Sequence, residues 1–169
     1  MKKILSAFAL VAILPMVGCA SKPATPTLMM GESVILDGIE DQRGNRFEHQ
    51  NNMQTLLFVD GMDAKNVARE SLRSIDVSCM EAGKLVYLAD ISGMPSLISN
   101  LIAIPKLRHY PYSIWLDREG DVSESLPVQD GKVTVIGVKH QVIESVMFAG
   151  DATTLSEHIG TLCPPVTTP

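Results

Sequence analysis

Cysteine is scarce in this chain: there are three in 169 residues, Cys19, Cys79 and Cys163, and no two form a Cys-x-x-Cys pair. A dithiol redox motif is therefore excluded. Histidine is equally uninformative. His49, His109, His140 and His158 are scattered, with no HExxH, His-x-Glu or His-x-His spacing, so no metal site is expected. Gly-rich phosphate loops and a Gly-x-Ser-x-Gly nucleophile elbow are missing, and no cofactor is expected. Basic residues are few (14 against 19 acidic) and form no stripe, which argues against nucleic acid as a partner. The nine methionines show no Met-x-x-Met cluster, so packing accounts for them better than copper binding.

What is present begins at the N-terminus. Lys2 and Lys3 precede an apolar run, Ile4 to Val17, broken only by Ser6 and Pro15, and Met16-Val17-Gly18-Cys19 follows. As a helix the run spans about 21 Å, short of a roughly 30 Å hydrocarbon core, so it suits a cleaved segment better than a permanent span. The segment resembles the signal peptide of bacterial lipoproteins, and Met16–Cys19 resembles the lipobox. The resemblance implies removal of residues 1–18 and diacylation of Cys19. It also implies a cell-envelope location with the membrane as one partner. Ala20 and Ser21 follow the cysteine with no Asp, which in such lipoproteins points to the outer membrane, facing the periplasm. Loss of Lys2 and Lys3 deepens the net charge from −5 to −7.

Residues 19–31, rich in Pro and Thr, read as a flexible tether, and residues 163–169 as a similar tail. Residues 32–162 are long enough for one domain with a real core. Val34 to Phe47 reads as an opening hairpin around the turn Gln42-Arg43-Gly44-Asn45. Thr55–Val59 and Lys84–Ala89 read as buried strands, and Ser113–Leu116 as a third. Between them, Asp63 is placed as the N-cap of a helix through Ile75. Pro95 opens a second helix, with Leu97, Ile98, Leu101 and Ile102 on one core face, that Pro105 interrupts. Any part of that face left exposed would mark a protein contact. Two further strands, Val133–Val138 and Val142–Phe148, precede a last helix capped by Asp151. The order β, β, α, β, α, β, β, β, α describes a three-layer α/β sandwich.

Three stretches carry a family resemblance: Val34–Gly44, Thr55–Val59 and Leu107–Gly120. Together they make the chain similar to thioredoxin-like proteins of the peroxiredoxin and thiol-disulfide lipoprotein type. The resemblance implies a central mixed sheet with helices on both faces. It also implies a cis Tyr110–Pro111 bond facing the loop after the strand Thr55–Val59. In redox members that loop carries one or two cysteines. Here it reads Asp60-Gly61-Met62-Asp63-Ala64-Lys65-Asn66, with Asp63 and Asn66 about where the sulfurs would stand. A carboxylate and an amide cannot exchange disulfides.

Cys79 and Cys163 follow the first and last helices, which pack on one sheet face in this fold. A structural disulfide, two unpaired thiols and a redox-active pair all remain open. Asp60, Asp63 and Asp90 could gather at the carboxyl ends of two strands, where open α/β sheets place ligands, although each also has a plain turn or capping role. The first functional expectation is a non-catalytic envelope lipoprotein, a binding or assembly module with an envelope protein partner. Its candidate surface comprises Asp60, Met62, Asp63, Asp90, Tyr110 and Pro111. The alternative is a thiol-dependent oxidoreductase or peroxidase using Cys79 or Cys163.

Overall fold

The structure is a computed structural model and describes residues 27–73 and 75–165. The signal segment, Cys19, the tether up to residue 26 and the last four residues lie outside the described residues. Six strands form one mixed sheet: β1 (Glu40–Asp41), β2 (Thr55–Val59), β3 (Leu85–Asp90), β4 (Trp115–Asp117), β5 (Val133–Lys139) and β6 (Val142–Ala149). Their spatial order is β1-β4-β3-β2-β5-β6. β2, β3 and β4 run parallel, while β5 is antiparallel to β2 and β6 to β5.

Strand alternation divides the core in two. Leu57, Val59, Leu85, Tyr87, Leu116, Val133 and Val135 point to one face and Leu56, Phe58, Val86, Leu88, Trp115 and Ile136 to the other. On the first face lie α1 (Met62–Ser71), α2 (Ser78–Glu81), α4 (Ile104–Leu107) and α5 (Ala152–Gly160), through Ala64, Ala68, Met80, Ile104, Leu107, Leu155 and Ile159. A short α3 (Ser96–Ile98) and a π turn (Ser99–Ala103) lead into α4.

The α/β class and the mixed sheet are as expected. The unit β2–α1–β3, the hairpin β5–β6 beside β2, and α5 against α1 form the arrangement that the resemblance implies. The distribution of helices is a correction. The buried helical residues lie on one face, and the other is covered by Val34, Leu36, Ile39, Met53 and Leu126, with only a 3-10 turn at Ser123–Ser125. The connections β2 to β3 and β3 to β4 advance across the sheet in the same direction, so crossovers of one hand place their helices on the same side.

Local differences have local causes. Gly61, at φ 87°, is the N-cap of α1, and Asp63 sits in the first turn instead. Pro95 caps α3 from outside, and the helix continues through Pro105 because the π turn just before it shifts the hydrogen-bond ladder. Asp151 caps α5 as anticipated, accepting from Thr154 N at 2.9 Å. Two contacts lie on either side of residues 32–162. Leu28 N donates to Ser125 O at 2.7 Å, and Pro165 bridges to Ile75.

Candidate functional site

Because β2, β3 and β4 are parallel, the residues that follow them share one end of the sheet. Asp60 follows β2, and Asp90 closes β3 in register with Asp117 of β4. A cleft of about 410 Å³ opens there, lined by Asp60, Asp90, Ser92, Glu119, Asp121 and Ser123 among others, and a neighbouring depression adds Gly61, Met94 and Pro95.

Two carboxylates build the loops of this end. Asp117, buried, accepts from the backbone N–H groups of Gly120 (2.9 Å), Val122 (3.0 Å) and Ser123 (2.7 Å). Asp90 accepts from Ser92 N at 2.8 Å and from the Ser123 hydroxyl at 3.0 Å. Asp60 stands at the mouth. Partial burial, then the charges of Asp90 and Asp130, push its carboxyl above the ordinary value. Among the described residues no group of three or more His, Cys, Asp or Glu could hold a metal ion.

Met62 and Asp63 occupy the same end, at the start of α1. Tyr110 and Pro111 do not. They precede β4 and so lie toward the opposite end of the parallel strands. Tyr110 stacks on Tyr112 with ring centroids 5.5 Å apart, and Tyr112 feels the charge of Arg69, near the far end of α1. Burial, then the neighbouring Tyr110, pushes the Tyr112 hydroxyl up, so it stays neutral.

The Tyr110–Pro111 bond is trans. The segment is held by other means: Arg43 Nη2 donates to Tyr110 O at 2.7 Å, Gln42 Nε2 to Tyr112 O at 2.8 Å and Arg108 Nε to Gln42 O at 2.9 Å. It feeds a strand that joins the parallel side of the sheet beside β3. A proline edge facing the Asp60–Asn66 loop requires the antiparallel side beside β2. The expected surface is therefore split between the two ends.

Cys79 and Cys163 are joined in a disulfide, with Cα atoms 5.6 Å apart across 84 residues of sequence. Both belong to the helical core, at 9% and 1% exposure. The crosslink ties α2 to the chain leaving α5.

The feature that sequence reasoning placed wrongly is the apolar helix. Leu97, Ile98, Leu101 and Ile102 are 70%, 45%, 68% and 50% exposed, and Ser99 alone is buried in the stretch Ser96–Ala103. Spacing of i, i+1, i+4 and i+5 gives one helix face but not its direction. A second signal is the run from Ile91 to Pro105, which contains no charged residue. Exposed Met62 stands at the same end of the molecule. Among the described residues no helix is long and apolar enough to cross a membrane.

No family model matches the chain, and no curated protein matches it. Among solved structures it is similar to a peroxiredoxin-like protein from Aquifex aeolicus, at 11% identity over 82% of this chain and 90% of that one, TM-score 0.47. It is also similar to StoA from Bacillus subtilis, at 15% identity over 80% of this chain and 98% of that one, TM-score 0.40.

Proposed function

We propose that the chain is a lipid-anchored protein of the bacterial cell envelope, held in the outer membrane through Cys19 and facing the periplasm. It acts there as a non-catalytic binding or assembly module. The observation that carries this reading is the solvent-exposed apolar face of Leu97, Ile98, Leu101 and Ile102 on an α/β platform. Soluble domains rarely leave four large aliphatic side chains together in water unless a membrane or a protein covers them, and either makes this face a binding surface. The chemistry of the site supports the same reading. The loop after β2 carries Asp60, Met62 and Asp63 but no thiol, and the sulfurs of Cys79 and Cys163 are withdrawn into the core. Catalysis by a thiolate needs an accessible, activated sulfur.

The test has two parts. Intact mass of the membrane-extracted protein is expected to show an N-terminus at Cys19 carrying acyl chains. Insulin-reduction and peroxide-consumption assays are expected to show no turnover above that of a Cys79→Ser, Cys163→Ser control. Turnover that disappears in the control establishes the thiol-enzyme reading instead, and a soluble product starting elsewhere removes the anchor.

A further inference from the structure

The tether meets the domain at Leu28, on the sheet face opposite the helices, between the hairpin end that binds Gly31 and the end where the apolar face begins. Leu28 N is bonded to Ser125 O at 2.7 Å, and two residues earlier the Ser123 hydroxyl is bonded to Asp90 at 3.0 Å. Asp90 ends β3, and the next residues run through Met94 and Pro95 directly into α3 and the exposed Leu97, Ile98, Leu101 and Ile102. Eight residues, Ala20–Thr27, separate Cys19 from Leu28, a reach of about 30 Å when fully extended. A lipid on Cys19 therefore keeps Leu28 within that distance of the bilayer surface, close enough for the apolar face to turn onto it.

We propose that the face formed by Leu97, Ile98, Leu101 and Ile102 docks on the bilayer that carries the Cys19 lipid, seating the domain with the carboxyl end of its parallel strands toward the membrane. The inference rests on the lipoprotein reading above. An apolar helix face of this kind lies in the interface with its side chains among the headgroups and upper acyl chains. A face too weak to bind from solution suffices here, because a short tether raises its effective concentration at the membrane to the millimolar range. The chemistry of the surroundings narrows the surface. The run Ile91–Pro105 carries no charge of its own; Arg118, bonded to Asn100 at 3.4 Å, and Lys106 flank it, but Asp60, Asp90, Glu119 and Asp121 at the same end outnumber them. A zwitterionic leaflet fits, and a strongly anionic one is repelled. The lipid supplies the anchoring, and the helix face supplies the orientation.

The experiment uses the mature lipidated chain beginning at Cys19, checked by intact mass and reconstituted into phosphatidylethanolamine–phosphatidylcholine vesicles with brominated acyl chains. Leu101→Trp is compared with Asn51→Trp, an exposed position before β2 at the opposite end, and the parent protein supplies the Trp115 background. Emission from position 101 is expected to shift to the blue and to be quenched by the bromines. Emission from position 51 is expected to do neither. Replacing phosphatidylcholine with phosphatidylglycerol at low salt is expected to weaken the quenching.

Absence of quenching at 101 in protein whose lipid is confirmed overturns the docking and leaves the anchor standing. Equal quenching at both positions overturns it too. A photo-crosslinker at position 98 that captures an envelope protein while 101 stays unquenched assigns the face to a protein instead. A chain without lipid at Cys19 overturns the lipoprotein reading, and the docking falls with it.

Discussion

Gln42 and Ile114 exchange two hydrogen bonds: the Ile114 N–H donates to Gln42 Oε1 at 2.7 Å, and the Gln42 N–H donates to the Ile114 carbonyl at 3.1 Å. Both residues are buried, and Gln42 Nε2 also reaches Tyr112 O. One amide side chain thus positions the entry to β4 and satisfies backbone groups on either side. Gln42→Ala leaves those groups unpaired beside a cavity and is expected to cost about 2–3 kcal/mol, read from urea unfolding.

The Cys79–Cys163 crosslink closes a loop spanning 84 residues of sequence. Chain entropy assigns a closure of that length about 4–5 kcal/mol. Cys79→Ser with Cys163→Ser is expected to lose stability on that scale, and reductant is expected to lower the melting temperature of the parent but not of the variant. Thiol counting under denaturing conditions is expected to find none at these positions before reduction.

Acid stability depends on Asp41. Burial pushes its carboxyl up, but hydrogen bonds from the Asn45 side chain and backbone, the Arg43 backbone and the Ser113 hydroxyl outweigh that and hold it below the ordinary 3.8. The folded state therefore releases this proton more readily than the unfolded chain does. The stability Asp41 adds is complete above about pH 4 and is lost as pH falls through its lower folded value. Asp41→Asn is expected to be less stable than the parent at pH 7, with the gap closing at lower pH in urea titrations.

Asp60 behaves in the opposite sense. Burial and the charges of Asp90 and Asp130 raise its carboxyl above 3.8, so ionising it costs stability as pH rises through that window. Asp60→Asn is expected to melt higher than the parent at pH 7. The gain should shrink in high salt, where the repulsion is screened.

One helical stretch supplies an internal control. Leu101 is exposed and Leu107 is buried at 7%. Leu97→Ser with Leu101→Ser is expected to change stability by no more than about 0.5 kcal/mol per site. Leu107→Ala is expected to cost about 2–4 kcal/mol. The surface pair also separates a binding defect from a folding defect.

The sequence by itself determined the strands and what they contribute to the core. Continuous apolar runs at Thr55–Val59 and Leu85–Ala89 admit little besides buried strands, and Asp151 before an apolar-periodic segment is a local capping signal that the structure bears out. The lack of a thiol in the Asp60–Asn66 loop was equally plain, because it needs only residue identities. The tertiary structure alone decided which ends and faces meet. Tyr110 and Pro111 were separated from Met62 and Asp63 when β4 joined the parallel side of the sheet, a choice between two pairing partners that one strand's sequence does not encode. Cys79 and Cys163 were brought together by the packing of the helical layer, over a separation that no local pattern spans. The apolar face of Leu97, Ile98, Leu101 and Ile102 is the sharpest case. Helical periodicity fixes which residues share a face, but whether that face turns to the core or to solvent depends on how the π turn and α4 seat against the sheet.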